Sequence, residues 1–181
     1  MLLDRISDNL ELRLLQLEDA QELFALTDAN RSYLREWLPW LDFVTQVDDT
    51  RDFIVKILKQ FAEGEGLVVA ICDRGRIVGL VGFNRIEQQD RIGYLGYWLA
   101  EAARGQGIMT KSCRSLIDYG FTTLKLDRVV IACATENHRS RAIPLRLSFT
   151  HTDTVRDAEW LYQEFVAHDI YSLSAKDWKK S

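Results

Sequence analysis

"RGQGIMTKSC", residues 104–113, stands between a strand-like run and a helix-like run, and its two glycines and two cations set the reading of everything around it. Before it, "RIGYLGYWLA" (91–100) is rich in Tyr, Trp, Leu and Ile, the composition of a strand. After it, Met109, Cys113, Leu116, Ile117, Gly120, Phe121 and Leu124 recur at three- and four-residue steps, one face of a helix. A strand, a Gly-x-Gly turn and a helix start together form a layout for holding a phosphate.

Three phosphate readings compete. A dinucleotide fingerprint needs Gly-x-Gly-x-x-Gly, and counting from Gly105 the third glycine position is Thr110. Asp127 lies at the right distance for a ribose but precedes its strand rather than ending it. A Walker A loop needs Gly-Lys-Ser/Thr after four residues, whereas Thr110-Lys111-Ser112 stands there, and the following "VVIAC" has no acid for magnesium. A coenzyme A pyrophosphate needs neither. Successive backbone N–H groups over Gly105 to Thr110 and the helix N-terminus would suffice, with Arg104 and Lys111 either adding charge or standing on a solvated face.

The rest of the chain bounds the class. Its 181 residues suit one domain, 1–181, with 47% apolar and 28% charged residues. A net charge of −4 argues against nucleic acid as the main partner. Cys72, Cys113 and Cys133 are widely spaced and no Cys/His cluster suggests a metal, so buried free thiols in a reducing compartment are expected. "MLLDRISDNL" does not read as a signal peptide and no run approaches a membrane span, which points to a cytoplasmic protein with no membrane partner.

Patterning predicts a strand at 10–17, a helix at 18–38 ended by Pro39, and a helix at 48–66 with Phe53, Ile54, Ile57, Leu58 and Phe61 on one face. A hairpin at 67–86 turns at Asp73-Arg74-Gly75. After the opening stretch come a strand at 127–135, a short helix at 137–147 despite Pro144, and two strands within 149–178. The fold class is α/β in the α+β range: a central mixed sheet of about seven strands flanked by about four helices.

The pieces "LRLLQLEDAQELF", "LREWLPWLD", "GLVGFNRI", "YLGYWLAEAARGQGIMT", "ATENHRSRAIP" and "AEWLYQEF" run nearly end to end, and together they resemble the GNAT-superfamily N-acetyltransferases. More narrowly, the chain is similar to the branch that acetylates the N-terminal serine or alanine of ribosomal proteins. The resemblance implies a mostly antiparallel GNAT sheet, acetyl-CoA as co-substrate, no metal, and an amine acceptor. That acceptor is a protein N-terminus or, alternatively, a small amine such as a polyamine, amino acid or amino sugar. A non-catalytic acetyl-CoA sensor on the same fold is the other alternative, and a homodimer is implied by resemblance only.

By position, the family's pyrophosphate loop falls on Arg104, Gly105, Gln106, Gly107, Ile108 and Met109, with Thr110 next. The strand around Trp98 and Leu99 would pair with the pantetheine arm, Asn137 would contact the coenzyme, and Ser140 would lie near its sulfur. Amine attack on a thioester asks for a base, a stabilised oxyanion and an acid for the leaving thiolate. Ser140 is the candidate acid and Glu159 the candidate base, with Glu87 and Glu101 as weaker bases and Tyr171 as a second acid. Each has a bland counterpart: a helix cap for Ser140, a solvated strand face for Glu159, core packing for Tyr171. His138, His151 and His168 show no triad spacing and rank low as bases. Trp37 and Trp40 either belong to the core or wall the acceptor groove. Three positions depart from the family pattern: Ala102, Leu145, and Ser148, which takes a place usually given to glycine.

Overall fold

Asp73 to Arg76 closes the hairpin expected from the sequence. Arg74 and Gly75 both have positive φ, 49° and 77°, the backbone that matches a two-residue turn to the twist of its strands. The computed structural model describes residues 1–178. Its strands are β1 (Leu2–Arg5), β2 (Leu10–Leu14), β3 (Leu67–Asp73), β4 (Arg76–Glu87), β5 (Ile92–Leu99), β6 (Arg128–Ala134), β7 (Thr150–Leu161) and β8 (Glu164–Ser174). Its helices are α1 (Ala20–Ala29), α2 (Arg31–Leu34), α3 (Val47–Glu63), α4 (Ile108–Thr122) and α5 (His138–Arg146), with short 3-10 turns at Leu17–Asp19, Pro39–Phe43 and Glu101–Ala103.

The strands form one sheet in the order β1-β2-β3-β4-β5-β6-β8-β7. Among the described residues all neighbours are antiparallel except β5 and β6, which run parallel. That parallel ladder holds only Ile92↔Arg128, Gly93↔Val129 and Tyr94↔Val130. Beyond Tyr94 the two strands part, and the β6-facing edge of Leu95 to Leu99 has no ladder partner.

Helices cover both faces. On one, α4 and α5 bury Ile108, Cys113, Leu116, Ile117, Ile143 and Leu147 against Val69, Val81, Phe83, Val129 and Ile131. On the other, Leu23 of α1 and Ile54 and Ile57 of α3 pack on Val68, Ala70 and Leu80. The alternation of Val68/Ala70 against Val69/Ile71 across the pleat explains why β3 reads as an unbroken apolar run.

Among the described residues there are eight strands and five helices, against the expected about seven and about four. β1 is four mostly exposed residues, too short for a periodicity to register. The helix expected over 18–38 breaks at Asn30, whose side chain donates from Nδ2 to the Leu26 carbonyl (2.9 Å) and accepts from the Glu101 N–H (3.0 Å). Leu38 is then outside the helical region, which a residue before proline disfavours. Phe53, expected on the buried face of α3, is 37% exposed. α3 itself opens with a capping box between Gln46 and Asp49 and ends at Gly64 with φ of 72°.

α5 closes with a Schellman motif: Phe149 N–H donates to the Pro144 carbonyl (2.9 Å) and Ser148 N–H to Leu145 (3.3 Å). Ser148, the residue just past the cap, has φ of 63°, a conformation usually given to glycine. Replacing it should therefore relieve strain. Ser148→Gly is expected to stabilise the fold by about 1 kcal/mol, read as a raised urea midpoint with unchanged slope; a lowered midpoint would contradict this conformation.

Candidate active site

The glycines of the opening stretch adopt the conformations that a phosphate-cradling turn requires. Gly105 and Gly107 have φ of 73° and 72°, and Gly107 is the N-cap of α4 with no side-chain cap. A Cβ on Gly105 would meet nothing within 4 Å, so its constraint is conformational rather than steric. No backbone carbonyl among the described residues accepts from the N–H groups of Gly105, Gln106, Gly107, Ile108, Met109 or Thr110. Six donors at a helix N-terminus are thus left for an anion. Ile108 is buried and anchors the turn, while Gly105, Gln106 and Gly107 are exposed. Arg104 is engaged elsewhere: Nη2 donates to Glu101 Oε1 (2.7 Å) and the guanidinium lies 4.5 Å from the Tyr33 ring centre.

The parting of β5 from β6 opens a cavity of about 300 Å³ that is lined from both faces of the sheet. Leu95, Tyr97 and Trp98 come from β5, Cys133 and Ala134 from β6, Ser140 from α5 and Asn137 from its N-cap, and Glu159 and His168 from β7 and β8. Trp37, Trp40 and Phe53 wall the remaining side. Asn84, in the β4 irregularity between Phe83 and Arg85, also reaches it; a Cβ on Gly96 would stand 2.2 Å from Asn84 Nδ2, so the bare backbone of β5 makes its room. Trp98 and Ser140, Glu159, Trp37 and Trp40 are therefore brought together. Leu99 is not a lining residue and packs against the core.

Pro144 explains how Ser140 is presented. A proline has no N–H, so the carbonyl four residues earlier in α5, that of Ser140, loses its intrahelical partner. The Tyr97 hydroxyl donates to that carbonyl at 2.8 Å, and Ser140 Oγ in turn donates to the Tyr97 oxygen at 3.4 Å. Burial keeps the Tyr97 phenol well above its ordinary pKa, hence protonated. The cap of α5 is Asn137, whose Oδ1 accepts from the Ser140 N–H (3.2 Å), so the capping role belongs to Asn137 and leaves the Ser140 hydroxyl toward the cavity.

An ion network fixes α5 to the sheet. Arg141 Nε lies 3.0 Å from Asp169 Oδ2 and its Nη1 donates to the Thr135 carbonyl at 2.8 Å. Thr154 Oγ1 donates to Asp169 at 2.7 Å, and with His151 and Arg141 it holds that buried carboxyl below the usual carboxylate range. Tyr171, the second candidate acid, is 1% exposed and its hydroxyl accepts from Arg141; it is core, not cavity. Glu87 pairs with Arg85 (2.9 Å) and Glu101 with Arg104, so neither candidate base faces the cavity. His138 is exposed beside Glu136 and His151 belongs to the Asp169 network.

Tyr97, one apolar-looking residue in a strand, was not singled out by pattern; His168, ranked low as a base for want of triad spacing, lines the cavity with its Nε2 2.9 Å from Glu159 Oε2. Cys133, read only as a buried thiol, lines the same cavity as Ser140, and burial pushes its pKa up to about 11. Among the described residues no cluster of His, Cys, Asp and Glu is arranged to hold a metal, and no helix is long and apolar enough to cross a membrane.

Known proteins share the fold. Residues 9–150 match the acetyltransferase (GNAT) domain. The putative ribosomal N-acetyltransferase YdaF of Bacillus subtilis is 33% identical over 97% of this chain and 96% of its own. The ribosomal-protein-serine acetyltransferase of Escherichia coli is 29% identical over 93% and 94%. The structure of RimL, a ribosomal-protein α-N-acetyltransferase holding coenzyme A as a disulfide to a cysteine, superposes with a TM-score of 0.93 at 28% identity, covering 96% of this chain and 98% of that one. With the family matched over most of its length, the chain belongs to the GNAT acetyltransferases and is an N-acetyltransferase that draws on acetyl-CoA.

Proposed function

We propose that the acceptor is the N-terminal α-amine of a protein, with a ribosomal protein as the favoured class. The observation that carries this reading is the make-up of the cavity: Glu159 is its one carboxylate among the described lining residues, and its outer wall is Trp37, Trp40 and Phe53. A polyamine would call for several acids spaced along a groove. One carboxylate and flat aromatic walls suit a single amine on a chain that continues out of the site. The ribosomal acceptors named for YdaF, the Escherichia coli enzyme and RimL support the same class.

The residues present fit acetyl-CoA. The free N–H groups of Gly105 to Thr110 suit its pyrophosphate, and the unpaired edge of β5 around Trp98 suits the amides of its pantetheine arm. Cys133 and Ser140 would then flank its sulfur. When bound, acetyl-CoA supplies an acetyl group activated as a thioester. Glu159 takes the proton from the acceptor amine, whose pKa of roughly 8 asks for only a modest base. A backbone N–H of the free β5 edge meets the oxygen on which negative charge grows. Ser140 Oγ gives its proton to the departing sulfur and regains one from solvent, while the Tyr97 hydroxyl, bonded to the Ser140 carbonyl, holds it in place. Holding both partners in one slot supplies much of the remaining acceleration.

Acceptor choice is tested by mass spectrometry after incubation with acetyl-CoA and a serine- or alanine-led peptide, spermidine or glucosamine. Acetylation at the peptide α-amine is expected; turnover of spermidine in preference to both peptides would overturn the reading. Glu159→Gln is expected to lower kcat by about 10²–10⁴-fold while acetyl-CoA affinity stays within about twofold, whereas Glu87→Gln leaves kcat unchanged. Gly105→Ala should do the reverse, weakening acetyl-CoA binding in calorimetry by about tenfold because alanine is strained at φ of 73°.

A further inference from the structure

The register of the outer hairpin holds a device that the pairing of Glu159 with His168 depends on. Val155 stands opposite His168, and the next pair is Glu159 opposite Val166. Between them β8 contributes one residue, Ala167, while β7 contributes three: Arg156, Asp157 and Ala158. Two residues are therefore extra, and Asp157 carries the left-handed φ of 50° that lets the chain turn back on itself.

Two extra residues leave the facing of every later side chain unchanged, because the pleat repeats every two. They change position along the strand instead. In an unbulged ladder Asp157 would stand opposite Val166, and Glu159 would lie one pleat farther toward the hairpin tip, a displacement of about 6.8 Å. The bulge draws Glu159 back to the step beside His168, where Oε2 and Nε2 meet at 2.9 Å. His168 is itself held on both sides, by Ala134 of β6 and Val155 of β7. Its side chain is 21% exposed and that of Glu159 33%, so both open on the cavity.

We propose that His168 is a positioning residue for acetyl transfer: its Nε2–H holds one oxygen of Glu159, leaving the other directed at the acceptor amine, and the bulge at 156–158 is what brings the two together. Without the imidazole, Glu159 is a flexible side chain on the outermost strand, free to point into solvent. The inference rests on the reading of Glu159 as the base.

The test uses the full-length enzyme with two variants and two readouts. His168→Gln keeps an N–H donor at the same reach, and His168→Leu removes it at similar volume. With acetyl-CoA and a serine-led peptide, His168→Leu is expected to lose about ten- to a hundredfold in kcat with the KM for acetyl-CoA within twofold, and His168→Gln to recover most of the loss. Equal turnover of His168→Leu and the wild type, or equal loss in both variants, would overturn the proposal. The second readout needs no acceptor: 15N NMR of the histidine-labelled protein, which reads which ring nitrogen carries the proton. The Nε2–H tautomer of His168 is expected to dominate and to lose its preference in Glu159→Ala; an Nδ1–H tautomer in the wild type would overturn the proposal. If the wild type leaves the peptide unmodified, the acceptor assignment fails and the tautomer alone decides the pairing.

Discussion

A parallel pair of strands that stays together for only three residue pairs is the constraint on which the site depends. Inside the sheet the other neighbouring strands are joined by antiparallel ladders. Between β5 and β6 the ladder stops at Tyr94, and a strand edge left open inside a protein must find other partners. That opening is also a passage through the sheet, so side chains from opposite faces line one cavity. Ser140 approaches from the helix packed on one face and Glu159 from the strand pair at the far edge, each held by its own neighbours. Catalysis by acyl transfer needs an acid and a base on opposite sides of one carbon, and a split sheet supplies two sides without a hinge.

The supports around the split are built from ordinary chemical shortfalls. Pro144 lacks an N–H, which frees the Ser140 carbonyl for Tyr97 and so links α5 to β5 across the gap. The buried carboxylate of Asp169 draws Arg141 and Thr154 to it, which ties the same helix to β8 and β7. Arg31 donates to the carbonyls of Leu41 and Val44 at 2.6 and 2.7 Å, fixing the turn that carries Trp40. In each case an unmet hydrogen-bonding group is satisfied by a residue from another element, and the partner chosen sets the geometry of the cavity.

Much of this was legible in the sequence, and the reasons differ from place to place. The turn at Gly105–Gly107 could be read because left-handed backbone leaves a glycine signature, and α3 and α4 because apolar residues recur with the helical period. The glycine-like place of Ser148 was visible against the family pattern. Other features leave no local mark. Asn30 breaks a helix through a contact with Glu101, seventy-one residues away in the chain. The meeting of Glu159 and His168 depends on a register shift that no periodicity shows, because two inserted residues preserve the alternation. Tyr97 looks like any strand aromatic until Pro144 is seen to leave a carbonyl beside it. Phe53 fits the buried stripe of α3 by spacing, but the wall it joins exists only once the strands have parted.

The measurement that bears most directly on the central claim is the crystal structure of the protein with coenzyme A. The expected result is a pantetheine arm lying along the open edge of β5 between Leu95 and Leu99, its pyrophosphate against Gly105 to Thr110, and its sulfur within reach of Ser140 Oγ with Glu159 across the cavity. A coenzyme bound elsewhere, with the gap between β5 and β6 closed or filled by side chains, would contradict the account.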